Sequence, residues 1–436
     1  MKRYTKYKNS GIKWIGNIPA VWDVSKVKYF FSIILGKMLQ PNKEHDDDKL
    51  LDYLCSVNIT WNGVNLSEIR QMWFSPQEIE KYRLQKGDLL VTEGGDVAVS
   101  SFWNNELDEC YIQNAIHLVR SKGIGSIRFL FYWLQFLKYN GYIDLICNKA
   151  TIAHFTKDKL GNLPIFCFSS DEQAAIAAYL DRRTTKIDAL LADLQSQADL
   201  LDRYKRELIA EVVIHGLDKT APRKDSGVEW IGDIPTNWEV IPLRAVAKDN
   251  TTKNYWMQCD NLLSLSHGKI IHKDIDTNFG LLPENFENYQ IVQEGYTVLR
   301  LTDLQNDKRS LRTGYVSETG IITSAYTGLI PSKQIDGKYF AYLLHTYDLK
   351  KIYYGLGGGV RQSLKYNDLK TLPILIPQMA DQKAIVAYIN DKTVQVNGLI
   401  ADINRQIEKL KQYRQIVIHD AVTGKIKVTK GANDAD

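Results

Sequence analysis

From Asp171 to about Ile214 the chain holds neither glycine nor proline, and large apolar side chains return every seven residues. Ile187, Leu194, Leu201 and Leu208 form one series, with Leu190, Gln197 and Tyr204 between them. From Asp381 to about Val422 the pattern recurs, interrupted only by Gly398. There Val396, Ile403, Leu410 and Val417 form one series, and Leu399, Gln406 and Tyr413 the other. A seven-residue return is the period of a helix packed along another helix. The apolar character of the first series recurs, and the second series matches letter for letter, down to a polar Gln at one core position. The spacing therefore predicts two long helices that pair with each other as a coiled coil. Asp171 and Asp381 suit the helix starts, and Gly216 and Gly424 stand where the helices should stop. Roughly 40 residues at about 1.5 Å each give a rod about 60 Å long.

Connectivity sets the direction of the pair. A parallel pair would stretch the intervening segment along the whole rod. An antiparallel pair puts its ends side by side, and a compact domain of about 160 residues closes the gap. The predicted order is a first domain over 1–170, a first long helix over 171–216, a second domain over 217–379, a second long helix over 380–425 and a flexible tail over 426–436.

The duplication reaches beyond the helices. "SGIKWIGNIPAVWDV" from Ser10 returns as "SGVEWIGDIPTNWEV" from Ser226, and "LGNLPIFCFSSDEQAAIAAYL" from Leu160 returns as "LKTLPILIPQMADQKAIVAYI" from Leu369. A unit this large is a duplicated domain plus helix, which excludes a solenoid. Each "W-I-G-x-I-P-x-x-W" phrase begins a domain where the other domain's helix finishes. Trp14, Trp22, Trp230 and Trp238 read as structural residues of a docking turn. Between these edges the two halves diverge. Short strand-like runs, such as "LLVTEGGDVAV" from Leu89 and "YTVLRLTDL" from Tyr296, alternate with polar turns. One amphipathic helix is predicted per domain, from Arg128 and from Gly337. The fold class is mixed α/β: two globular α/β domains separated by two long antiparallel helices, with an internal pseudo-twofold, circular repeat. A common frame with unlike middles suits modules that recognise different things.

The 436 residues are 44% hydrophobic and 24% charged, with a formal net charge of +4. That composition permits nucleic-acid binding without demanding it. The opening residues lack the apolar core of a signal peptide, and no run of eighteen apolar residues occurs, so a cytoplasmic location is expected. The five cysteines are scattered and form no C-x-x-C pair, which argues against a disulfide framework or a zinc ribbon. No catalytic or metal-binding constellation is found. "GLGGGVRQS" fails the phosphate-loop patterns, and the His267–His272 spacing does not suit shared metal binding.

Polar loops carry the remaining candidates. In the second domain these are Arg300, Thr302, Gln305, Asn306, Lys308, Arg309 and Arg312, joined by Arg361 and Gln362 beside glycines. Arg pairs bidentately with guanine, Gln and Asn with adenine, and Lys with phosphate. In the first domain they are Lys37, Gln40, Asn42, Lys43, Arg70, Thr92, Glu93, Gly94, Gly95, Gln113 and Asn114.

The paired phrases at the domain starts and helix starts, with "AVTGKI" from Ala421, resemble the specificity subunits of type I restriction–modification systems over nearly the whole chain. The resemblance implies two target recognition domains, each reading one half of a split, asymmetric site in double-stranded DNA. It implies that the helices set the gap and dock two modification (methyltransferase) subunits, and that restriction subunits join them. Catalysis, and with it S-adenosylmethionine, ATP and Mg, is then expected in those partners, with no cofactor in this chain and no membrane. Two rivals remain at this level: a cytoplasmic protein-binding scaffold with a coiled-coil spacer, and a self-contained nuclease or methyltransferase. DNA affinity that falls steeply with salt separates the first rival, and assay of the isolated chain the second.

Overall fold

The computed structural model describes residues 3–147, 154–275, 285–304, 307, 310–356 and 363–428. The long helices run Ser170–His215 and Met379–Val422. Two compact units emerge: Met1–Gln195 with Arg405–Asp436, and Ser196–Asn404. The cuts fall inside both long helices, so each unit holds one globular domain with part of each helix.

In the first unit the opening part of the first helix packs beside the closing part of the second. Ile176, Tyr179 and Leu180 share a core with Val417, Ile418, Ala421 and Val422. Arg414 grips the Asp188 carboxylate from two nitrogens, at 2.8 and 3.2 Å. In the second unit Ile209, Val212 and Val213 share a core with Ile385 and Ile389, and Lys205 donates to Asn397 at 3.1 Å. In each unit a helix start lies beside a helix end, so the pairing is antiparallel.

Half of the expected seam is corrected. Ile187, Val396 and Val417 are buried, and Leu194, Leu201, Leu208, Ile403 and Leu410 are half-buried, as one series requires. The other expected series faces solvent: Leu190, Tyr204, Leu399 and Tyr413 are 42–54% exposed, and Gln197 and Gln406 are exposed with them. The true companions lie one position later. They are Thr184, Leu191, Ala198, Lys205 and Val212 in the first helix, and Thr393, Ile400, Ile407, Arg414 and Ala421 in the second. Positions three and four residues along a helix share a face, and here the inner one is often small or polar.

Each domain is built on a four-stranded antiparallel sheet with the same order. In the first domain the order is Ser100–Phe102, Leu89–Thr92, Ile116–Ser121, Phe31–Leu35; in the second it is Thr313–Tyr315, Thr297–Leu299, Thr327–Pro331, Ala247–Asp249. One core helix packs in each, Ile127–Tyr139 and Gly337–Leu349. A strand on entering the domain pairs with one on leaving it, Asp23–Lys26 with Pro164–Cys167 and Glu239–Pro242 with Pro373–Ile376.

The repeated phrases make the frame. Trp22 is fully buried and stacks on Phe168 at 4.0 Å; Trp238 is buried at the matching place. The glycine ending the other helix presses against this turn. A Cβ on Gly424 would lie 2.4 Å from the Pro19 ring, and one on Gly216 would lie 3.1 Å from the Trp238 ring. The repeated glutamines, Gln173 and Gln382, are buried. Gln173 Oε1 accepts from the Ser126 N–H at 2.9 Å, and Gln382 Oε1 from the Asp336 N–H at 2.7 Å. Ser126 and Asp336 cap the core helices, so each long helix is bolted to its domain where the core helix begins.

Candidate nucleic-acid interface

Register shows which end of each sheet is the free end, the one opposite the bolt at the start of the core helix. Leu35 pairs with His117 and Thr92 with Ile116. The first strand and the Leu89–Thr92 strand therefore finish at the end where Ile116–Ser121 begins. In the second domain Asp249 pairs with Leu329 and Leu299 with Thr327, which gives the same arrangement. The strand that leads to the core helix and its bolt to the long helix starts at this end and runs away from it. The free end carries the connecting loops.

In the first domain three predicted segments meet there. Asn114 N–H donates to the Lys37 carbonyl at 2.8 Å, and Glu93 N–H to the Ala115 carbonyl at 2.8 Å. Asn42, Lys43, Gly95 and Arg70 are exposed, and Gln40, Gly94, Gln113 and Asn114 are half-buried. Lys43 lies over the Trp73 ring at 5.8 Å, a cation held on an aromatic face.

Three predicted contacts in that domain prove structural. Lys37 is 6% exposed and its ammonium is held by Glu78 and Gln40, each at 2.5 Å. Thr92 is buried and its hydroxyl closes the loop onto the Asp96 carbonyl at 2.6 Å. Glu93 turns inward, 3.5 Å from the buried His117 ring. Burial raises the Glu93 carboxyl and lowers the His117 imidazole, whose Nε2 donates to the Phe155 carbonyl at 2.7 Å.

In the second domain the 300–312 loop leaves from the free end. Arg300 and Thr302 are half-buried. Gln305, Asn306, Lys308, Arg309, Arg361 and Gln362 lie outside the described residues. Arg312 is corrected from reader to staple. It is fully buried and donates to the carbonyls of Arg300 (3.1 Å), Thr302 (2.8 Å), Asp303 (3.4 Å) and Asp307, and to the Tyr354 hydroxyl (3.1 Å). A guanidinium has five donors, and here they tie a wide loop from inside.

The same ends expose apolar side chains that a polar search passes over. Met38 and Leu39 follow the first strand of one domain, and Tyr255, Trp256 and Met257 that of the other. The available signal was three adjacent large apolar residues in "TTKNYWMQ", with polar neighbours and no strand alternation.

Fold and site define a duplicated protein: two α/β domains joined to long helices by the same turn and bolt, each presenting an individual set of loops at one end of its sheet. The family model for the type I restriction modification DNA specificity domain matches residues 19–198 and 294–409. The chain belongs to this family. It is 21% identical to the type I restriction enzyme MjaVIII specificity subunit of Methanocaldococcus jannaschii, covering 94% of each chain. It is 17% identical to the EcoDI specificity subunit of Escherichia coli, covering 97% of this chain and 92% of that one. A solved chain from work on complex assembly and conformational transition of the type I R-M system superposes with a TM-score of 0.63 at 15% identity, over 94% of this chain and 99% of that one.

Proposed function

We propose that each domain reads one half of a bipartite, asymmetric site in double-stranded DNA, and that the chain is the non-catalytic recognition subunit of a type I complex. The observation that carries this reading is the contrast within the duplication. The sheet order, docking turn and glutamine bolt repeat in both domains, while the loops at the free sheet ends differ in length and composition. Half-sites of different sequence need unlike loops on a like frame. Continuous helices of 46 and 44 residues, about 69 and 66 Å long, suit a ruler that fixes the gap between halves.

The outward series Leu190, Gln197, Tyr204 and its copy Leu399, Gln406, Tyr413 suits two copies of one partner, the methyltransferase subunits. In this reading S-adenosylmethionine, ATP and Mg act in the methyltransferase and restriction subunits, and the assembly works in the cytoplasm. Among the described residues no helix is long and apolar enough to cross a membrane.

Single-molecule methylome sequencing of cells that carry this chain with its methyltransferase partner tests the reading. The expected result is one motif of two unlike halves with a fixed gap. A palindromic or uninterrupted motif would overturn it.

A further inference from the structure

The loop after the first sheet strand has the same curious feature in both domains. In the second domain it turns through left-handed backbone at Trp256 (φ 62°) and Met257 (φ 52°), a conformation side-chain-bearing residues seldom adopt. The turn is locked from below by Asn254, which is fully buried. Its Oδ1 accepts from the Cys259 N–H at 2.9 Å, its Nδ2 donates to the Cys259 carbonyl at 2.9 Å, and its own N–H donates to the Tyr289 carbonyl at 2.9 Å. On this fixed base Tyr255 is 61% and Trp256 86% exposed.

In the first domain the loop is anchored by the Lys37–Glu78 ion pair and by Gly36, where a Cβ would lie 2.3 Å from the Gln113 carbonyl oxygen. Beyond that anchor Met38 is 75% and Leu39 53% exposed. Each domain thus has a rigid base, a strained or tightly packed neck and a tip of large apolar side chains in water. Both tips follow the end of the first sheet strand, and Met38 and Leu39 lie in the loop that also carries the candidates Lys37 and Gln40.

Composition decides what covers them. A partner common to both halves would meet the same letters twice, as Leu190 and Leu399 or Tyr204 and Tyr413 provide. The tips differ: Met-Leu in one domain, Tyr-Trp-Met in the other. Unlike tips suit unlike base sequences. Met and Leu are side chains that wedge between base pairs, and an indole has a flat face to lay against an unstacked base.

We propose that Trp256 with Met257, and Met38 with Leu39, are apolar wedges that enter the DNA at a base step of the half-site each domain reads. This rests on the DNA-reading function proposed above, and it adds a contact made by shape and stacking to those made by hydrogen bonds. A wedge unstacks its step, so flexible pyrimidine–purine steps are favoured there.

The test uses the full chain with its methyltransferase partners, on duplexes of the methylome-derived site carrying 2-aminopurine at successive positions. Wild type should brighten at one step in each half. Trp256→Ala should abolish the signal in one half alone and weaken binding about 10–100-fold. The salt slope should not change, because no phosphate contact is lost. Trp256→Phe should keep most of the affinity, and Met38→Ala should silence the other half. Specific binding by wild type without brightening at any step beyond the target bases that the methyltransferases flip out, or Trp256→Ala binding within twofold of wild type, would overturn the wedge. So would a Trp256→Ala chain that reads DNA normally but loses its methyltransferase partners. A wild-type complex with no sequence preference would instead overturn the DNA-reading function itself.

Discussion

The outer faces of the long helices and the tips of the two sheet-end loops are both exposed apolar surface, yet they repeat in opposite ways. Leu190, Gln197 and Tyr204 are copied as Leu399, Gln406 and Tyr413 without a change of residue. Met38 and Leu39 have no such copy: the matching loop carries Tyr255, Trp256 and Met257. Solvent exposure of apolar groups costs about 25 cal/mol per Å², so both surfaces call for a partner. A surface kept letter for letter suits one kind of partner bound twice. A surface kept in place but changed in letters suits one kind of task done on two different targets.

The sharpest way to break this comparison is to charge the copied face. Leu190→Glu and Leu399→Glu alter half-exposed side chains outside the seam, so helix content by circular dichroism should hold. Each single variant should lose one of two methyltransferase subunits in native mass spectrometry, and the two losses should be equal. The double variant should retain none, with methylation reduced more than 100-fold, since a charge driven into an apolar contact costs several kcal/mol. Clearly unequal single variants would mean that the two faces are not equivalent docking sites.

Arg312→Met sharpens the other side, because it disturbs a divergent loop without touching the frame. The substitution leaves the loop carbonyls that Arg312 ties and the Asp348 carboxyl, itself raised by burial, without their guanidinium neighbour. We expect a loss of about 2–4 kcal/mol in urea unfolding of the second unit. The half-site read by that domain should relax while the other half stays strict in methylome mapping. Equal relaxation of both halves would contradict independent readers.

Much of the frame was legible in the sequence because its signals are local and doubled. The seven-residue return, the Trp-Pro turn and the helix-stopping glycines each occur twice, and a copied error is improbable. The second seam series was not legible. Leu190 and Leu191 stand three and four residues after Ile187, spacings that an apolar count accepts equally although the two are about 100° apart around the helix, and the seam takes Thr184, Ala198, Thr393 and Arg414, which a count of large apolar residues skips. The site was less legible still. A guanidinium that reads guanine and one that ties its own backbone are the same letter, so nothing in the sequence distinguishes Arg312 and Lys37, which the fold turns in, from outward-facing readers. Trp256 is hidden in the sequence for the converse reason. An aromatic residue belongs to a core by default, the unalternating run Tyr255–Met257 is a weak sign against that, and the backbone at Asn254–Met257 directs the side chain into water.

The frame makes a smaller but more exact prediction, at the two glycines that close the helices. Gly424 and Gly216 both adopt left-handed backbone, φ 70° and 78°, so alanine at either should cost about 1 kcal/mol in conformation alone. Their surroundings differ. At Gly216 the new methyl would meet the Trp238 ring edge at 3.1 Å and the Pro235 ring at 3.7 Å, a fit that a slight tilt of the indole relieves. At Gly424 it would meet two Pro19 ring carbons at 2.4 Å each, with the Trp22 ring behind at 3.1 Å. Proline cannot rotate away, and Pro19 is held in the strand Asn17–Pro19 paired with Tyr7–Asn9. Gly424→Ala should therefore cost about 2–3 kcal/mol and Gly216→Ala about 1 kcal/mol, read as urea midpoints of the two full-length variants. Equal midpoints would show that the two docking turns, alike in sequence, are also alike in tolerance. The tighter fit would then not mark the first turn as the more rigid attachment.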